Sequence, residues 1–217
     1  MKINLFLIIL IFLCGMTAQT QEDEIFRHPL SAQTKESFTA VCASIAQYPV
    51  VRGSFEQEKI LSRINRSLKS NGNFIITSDR GMVWDTLNPF PSTLVLGRDF
   101  MIQSRPGGQK TVLNAKGNEV FTSMAEVLSS VFSGNAQGLE KNFEIYFSSS
   151  ASSWVMGLKP LNKAINSFAQ MIIMNGDSVI KTIYLIENGG DSIKYILSNH
   201  NLTGALTDNE KSLFILP

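Results

Sequence analysis

The chain is poor in the residues that build catalytic centres. It has two histidines and two cysteines in 217 residues, and neither His28 nor His200 lies near a partner that would make it a base or a ligand. No group of His, Cys, Asp and Glu shows metal-ligand spacing. The Gly-x-Ser-x-Gly elbow, the Walker loop and the dinucleotide fingerprint are all missing. Gly107-Gly108 reads as a hairpin turn rather than a phosphate cradle, because no helix follows it directly. Glu56 and Glu58 come nearest to a carboxylate pair, but they continue the Arg52, Ser54 side of a strand whose other side carries Val51, Gly53 and Phe55, and so fall on its wet face. These absences argue against an enzyme and give no metal site and no cofactor.

Charge is scarce too. Charged residues make up 17% of the chain and the formal net charge is +1, so no field of one sign invites nucleic acid. The apolar run from Ile3 to Leu13 falls short of the roughly 20 residues a spanning helix needs. Lys2 precedes it and Met16-Thr17-Ala18-Gln19 follows, the order of a secretory signal peptide. We therefore expect residues 1–20 to be a signal, cut near Ala18 to Gln21, and residues 21–217 to form one domain in the periplasm. Cys14 follows Phe12-Leu13 rather than a small residue, which argues against a lipidated N-terminus. Losing the signal removes Lys2 and no acid, taking the formal charge from +1 to zero. It also leaves Cys42 without an intramolecular disulfide partner despite an oxidising destination. Within ESFTAVCASIAQ, Cys42 reads as a buried helix position.

What the chain has in quantity is phenylalanine, fourteen against two Trp and four Tyr. Phe brings apolar area with no polar atom to satisfy, which suits either an ordinary β-sheet core or an interior that holds hydrocarbon. Phe38, Val41, Cys42, Ile45 and Ala46 fall at helical spacing after Thr34, a suitable N-cap, and Pro49 ends that helix. Three strands follow: Val51 to Leu61, Leu68 to Thr77, and Met82 to Leu87. Asp79-Arg80-Gly81 turns between the second and third, with Gly81 in the positive-φ position. Pro89 and Pro91 place a loop at the rim. Ser92 to Leu96, Asp99 to Ser104 and Lys110 to Ala115 are further strands around Gly97-Arg98 and Arg105-Pro106-Gly107-Gly108.

The period then changes. Phe121, Met124, Ala125, Leu128, Val131 and Phe132 form one helical stripe, with Thr122 or Ser123 as cap and Gly134 as stop. A helical turn around Ala136 to Glu140 follows. Alternation resumes at Phe143, Ile145 and Phe147, and again at Trp154, Met156 and Leu158. Leu161 to Ile165 suggests a turn of helix. Hairpins at Asn175-Gly176-Asp177 and Asn188-Gly189-Gly190-Asp191 join the last strands, ending at Ser192 to Ser198. Thr207-Asp208-Asn209-Glu210 can cap a final short helix. The chain is mostly β, with helices interrupting an antiparallel meander.

Phe55, Gln57 and Lys59, then Ser70, Gly72 and Phe74, then Arg80, Trp84 and Pro89 occur in an order that resembles the LolA-like family of outer-membrane lipoprotein carriers. The resemblance is strongest from Val50 to Leu96. It implies an incomplete antiparallel β-barrel whose concave apolar hollow is covered by helices and holds acyl chains. It implies as cargo an acylated lipoprotein, received from an inner-membrane ABC transporter and passed to an outer-membrane acceptor. Relatives of the family also move other acylated lipids, such as glycolipids or aryl polyenes, or sense lipoproteins as interaction modules. On this reading Phe55, Phe74, Ile76, Trp84, Leu94, Leu96 and Ile102 wall the hollow and Leu128 and Phe132 form its lid. The same positions could equally fill a solid core. Arg80 matches by order the family arginine that ties sheet to lid, although Gly81 stands where the family has a Pro soon after, and Trp84 comes early.

Overall fold

The computed structural model of the chain describes residues 24–114 and 119–216. The expected signal peptide, with Cys14, lies outside these residues. A 3-10 turn, Ile25–Arg27, leads to helix α1, Ala32–Ala46. The cap expected at Thr34 sits at Ser31, which has the extended backbone a cap needs. Thr34 is its partner instead, its Oγ1 accepting from the Ser31 amide at 3.0 Å. Six strands follow: β1 Val50–Leu61, β2 Arg66–Thr77, β3 Gly81–Asn88, β4 Ser92–Leu96, β5 Phe100–Ser104 and β6 Thr111–Asn114. Then come helices α2, Glu119–Phe132, and α3, Ala136–Asn142. Strands β7 Phe143–Ser149 and β8 Trp154–Pro160 are followed by the short helix α4, Lys163–Asn166. β9 Met171–Gly176, β10 Ile180–Ile186, β11 Ser192–Asn201 and helix α5, Asp208–Leu213, complete the order.

All eleven strands lie in one antiparallel sheet in the order β6-β5-β4-β3-β2-β1-β11-β10-β9-β8-β7. Two meanders are joined where β11 returns to pair with β1, Phe55 opposite Leu197. The sheet does not close, because β6 and β7 remain its two edges. The β7 edge is blunted by the N-terminal segment. Leu30 donates to the Ile145 carbonyl at 2.8 Å, and Phe147 donates to that of His28 at 2.9 Å. This is the incomplete antiparallel barrel that the family resemblance implies, with α1 to α4 on one face and α5 beside the other.

Strand alternation sorts the side chains onto two faces. One inner line runs Val51, Ile76, Met82, Leu96, Met101 across β1 to β5. Its neighbour runs Phe74, Trp84, Leu94. Helices α1 to α4 lie on this face, and Phe38, Cys42, Ile45, Val127, Val131 and Leu139 join Phe55, Phe74, Phe143, Phe147 and Met156 in the main core. Two of the rings, Phe74 and Phe55, have been given room by a missing side chain. A Cβ on Gly53 would fall 2.6 Å from the Phe74 ring, and one on Gly72 would fall 2.9 Å from that of Phe55.

The outer face of the same strands carries Ile75, Val83, Val95, Ile102 and Val112. The segment after β11 covers it with Leu206 and Phe214. Arg52 fastens that segment, donating Nε and one terminal nitrogen to the two carboxylate oxygens of Glu210 at 2.7 and 2.8 Å. Its guanidinium also reaches the Thr203 and Ala205 carbonyls. Glu210 meanwhile closes the expected cap of α5, accepting from the Thr207 amide at 2.7 Å.

Two expectations are corrected here. Ile102 is not a wall residue of the helix-covered face: it pairs with Val95 and packs in the outer cluster. The parity of β5 turns Met101 inward in its place. Thr122 and Ser123 do not cap α2, because the helix already runs at Glu119.

Candidate functional site

The sheet and helices leave a cleft of about 670 Å³, within the range of small-molecule sites. Three structural layers meet there. The turns β2–β3 and β4–β5 supply Thr77, Ser78, Asp79, Gly97, Arg98 and Asp99. Helix α2 supplies Ala125, Leu128, Ser129 and Phe132, spaced so that they share one side of the helix. Helix α3 and its entry add Asn135, Gly138, Lys141 and Asn142. The floor is the end of the inner apolar line: Ile76, Met82 and Leu96. The cleft therefore has a polar, charged rim over an apolar base.

Local geometry holds the rim in place. Thr77 is buried, and its hydroxyl accepts from the Arg80 and Gly81 amides at 2.9 and 3.0 Å while donating to the Gly81 carbonyl at 3.1 Å. Gly81 takes the positive φ expected of it, +118°. A Cβ there would meet the Leu96 carbonyl at 2.0 Å, so the two turns press backbone against backbone. On the helical side Gly134, at φ +61°, joins α2 to α3. A Cβ on it would lie 2.0 Å from the Cys42 carbonyl, so this turn sits directly on α1. Asn135 caps α3, its side-chain oxygen accepting from the Gly138 amide at 3.0 Å. A Lys35–Glu140 ion pair ties α1 to α3.

Behind the cleft lies a second, much smaller gap lined by Ile45, Val51, Phe74, Val179, Leu197 and His200. Ile76 and Phe132 border both spaces. Phe132, half-buried at the last turn of α2, thus stands as a partition between the polar-rimmed cleft and the interior. His200 closes the far side, with Nε2 3.1 Å from the Ile180 carbonyl and its ring edge-on to Phe74 at 5.9 Å. Burial first, and then Lys181, pushes its pKa below the ordinary value, so it meets the gap as a neutral group.

Next to this region the inner face carries an aromatic stack. Trp84 lies on Phe55 with ring centroids 4.1 Å apart and beside Phe74 at 5.9 Å, both near parallel. Tyr195 meets it edge-on at 5.3 Å. Burial, and then the charge of Glu187, pushes the Tyr195 phenol up to about 12. Glu187 is itself paired with Lys59 at 2.9 Å.

The predicted wall residues separate accordingly. Ile76, Leu96, Leu128 and Phe132 line the cleft. Phe74 lines the inner gap. Phe55 is fully buried in the main core, where Trp84 packs beside it. Leu94 is half-buried on the same face, opposite Trp84. Ile102 belongs to the other face. Arg80 sits at the exposed β2–β3 turn, its guanidinium 3.5 Å from Asp79. Its partners among the described residues are Asp79 and Thr77. A link from Arg80 to the helices is not among them. The sequence reading missed Met82, Ala125 and Ser129. Helical spacing from Leu128 and Phe132 would have found the last two, and strand register from Leu96 the first. The rim residues from two turns carry no such periodic signal.

The sequence matches, over residues 47–212, the family described as outer membrane lipoprotein carrier protein LolA. No curated protein matches the chain by sequence. Among solved structures, the chain is similar to a LolA superfamily protein from Nitrosomonas europaea, with 8% identity and a TM-score of 0.47 over 83% of this chain and 97% of that one. It is similar also to the MucA/MucB complex of Pseudomonas aeruginosa, with 12% identity and a TM-score of 0.46 over 86% and 62%. For LprF of Mycobacterium bovis the values are 8% and 0.39, over 84% and 99%. No helix among the described residues is long and apolar enough to cross a membrane.

Proposed function

The chain belongs to the LolA family of outer membrane lipoprotein carriers, and from that premise we propose that it carries the acyl chains of a lipid-modified cargo across the periplasm. The observation that carries this reading is the cleft of about 670 Å³ whose apolar floor, Ile76, Met82 and Leu96, lies under the apolar side of α2 and is rimmed by polar groups. An acylated molecule has the matching asymmetry. Its hydrocarbon gains roughly 0.8 kcal/mol for each methylene taken from water, and its polar end needs partners that an apolar mouth would deny. Leu128 and Phe132 of α2, with Ile76 and Leu96 of the sheet, touch the chain; Arg98, Lys141, Asn135 and Asp99 face the polar end. Release requires that the apolar contacts be undone, and α2 is the element whose displacement would undo them. The cargo we favour is a lipoprotein, taken from an inner-membrane ABC transporter and handed to an outer-membrane acceptor.

The test is mass spectrometry of the organic extract from protein purified gently out of its native periplasm, together with uptake of a fluorescent fatty acid by the lipid-stripped protein. A lipoprotein N-terminal peptide near one-to-one establishes the carrier and names its cargo. A glycolipid or pigment ester in its place keeps the carrier and replaces the cargo. An empty extract with no uptake of the probe refutes the reading.

A further inference from the structure

The hairpin of β1 and β2 runs past the β3 side of the sheet, while on its other side the β10–β11 turn keeps pace with it. On the β3 side, pairing stops at Asn71 opposite Asn88, so Arg66 to Ser70 of β2 project beyond it by five residues, roughly 16 Å at about 3.3 Å per residue. On the β11 side, pairing stops at Ile60 opposite Ser192. The projecting tip is not loose. Ser62 donates both its amide and its hydroxyl to Asp191 at 3.0 and 3.1 Å, a 3-10 turn spans Ser62–Ile64, and Asn65 takes the left-handed conformation, φ +48°, that closes the turn.

This fixed tip exposes large apolar side chains on every side. Ile64 at the apex is 61% exposed, Leu68 57% and Ile60 41%. Leu68 faces Lys59, with the inner-face parity of the strands, and Ile60 faces Ser67, with the outer parity. Interleaved with them are Arg63, Arg66 and Lys69, all exposed, and no acidic residue occurs from Ile60 to Ser70. The nearest acid on the strands is Glu58, 3.7 Å from Lys69. Leu87 and Phe90 are exposed at the same end of the sheet.

We propose that the β1–β2 tip inserts end-on into the head-group region of an anionic phospholipid bilayer. The arrangement decides between possible occupants. A folded partner would cover one face of a flat hairpin and leave the other wet, whereas a lipid interface surrounds a blade whose apolar groups point to both faces and the apex. Cations beside interfacial apolar groups are the composition that binds anionic membrane surfaces. The inference stands on the hairpin alone and does not depend on the carrier reading.

The experiment is flotation of the protein with vesicles of phosphatidylglycerol and phosphatidylethanolamine, against vesicles of phosphatidylcholine, at low and high salt. The expected result is partitioning onto the anionic vesicles that falls steeply between 0.05 and 0.5 M salt, since those concentrations move the screening length across about 10 Å. Arg63→Glu/Arg66→Glu should weaken it at least roughly fivefold per cation, and Ile64→Ser/Leu68→Ser at least tenfold. Both pairs of positions are exposed, so the thermal midpoint should not move, and uptake of the fluorescent fatty acid should be retained. Failure of the wild-type protein to partition, or equal partitioning by either variant, overturns the proposal. Loss of fatty-acid uptake with vesicle binding intact would count against the carrier reading and leave this one standing.

Discussion

Replacing Phe132 with alanine should change which acyl chains the protein prefers. The ring borders both the large cleft and the gap in front of His200, so its removal joins them into one continuous hollow. The cost to stability follows from its position. A fully buried Phe→Ala change removes about 3–5 kcal/mol, and Phe132 is half-buried at a helix end, which places the loss at about 2–3 kcal/mol. The gain is in depth. In the wild-type protein, affinity for saturated fatty acids should rise with length until the cleft is full and then level off. In Phe132→Ala the rise should continue, at about 0.8 kcal/mol or roughly fourfold per added methylene, for as many methylenes as the joined gap admits. Phe132→Leu retains an apolar partition and should behave as wild type. The assay is displacement of a bound fluorescent fatty acid by unlabelled acids of ten to eighteen carbons. Parallel length profiles for wild type and Phe132→Ala, with both proteins folded, would refute the partition and with it the assignment of the cleft as the entrance to the interior.

Three further outcomes are expected. Arg52 holds the Glu210 carboxyl down at about 2, chiefly through their hydrogen bonds, against an ordinary value of 4.5. That depression corresponds to at most about 3 kcal/mol, and because the pair lies at the solvent edge, screening reduces it to roughly 1–2 kcal/mol. A depressed carboxyl stabilises the fold above its unfolded value and ceases to as pH falls through its folded value. The stability difference between wild type and Glu210→Gln in denaturant titrations should therefore be full at pH 7 and vanish as pH falls from about 4.5 to 2; a difference constant with pH would remove the ion pair from the account. Gly134→Ala forces a Cβ to within 2.0 Å of the Cys42 carbonyl at a positive φ, so the thermal midpoint should fall by the equivalent of at least about 1–2 kcal/mol, and an unchanged midpoint would show that the α2–α3 turn is not pressed on α1. The Cys42 thiol, 2% exposed and pushed up to about 11 chiefly by burial, should resist iodoacetamide at neutral pH until the protein is unfolded; prompt native labelling would show that α1 opens.

Most of the fold was legible in the sequence because its signals are local. The hairpin turns at Gly81 and Asn188-Gly189-Gly190, the Pro49 stop, the Gly134 stop and the Thr207–Glu210 cap each depend on a few adjacent residues, and all stand as read. Alternation puts Phe74 with Ile76 and Met82 with Trp84, and the register joins the two pairs on one face. What failed needed information from beyond the segment. Asp99 to Ser104 alternates acceptably in either parity, and only the pairing of Leu96 with Met101 decides that Ile102 faces outward. Nothing local to β5 says that Leu206 and Phe214, a hundred residues on, will cover that side.

The site was less legible than the fold for a related reason. Its apolar base comes from periodic elements, and four of the nine predicted wall and lid residues line it. Its rim comes from Ser78, Asp79, Arg98 and Asp99, residues that a sequence reading assigns to turns and passes over. Those turns are where the polar half of an amphiphile must be met, since strands of alternating parity give their inward positions to the core and have no polar side chain left at the cleft floor. The same logic separates the two ends of the molecule. At the β2–β3 and β4–β5 turns the polar groups are gathered around a hollow, whereas at the β1–β2 tip Ile60, Ile64 and Leu68 stand exposed. On the two proposals made above, the sheet would meet an acyl chain at one end and a lipid head-group layer at the other.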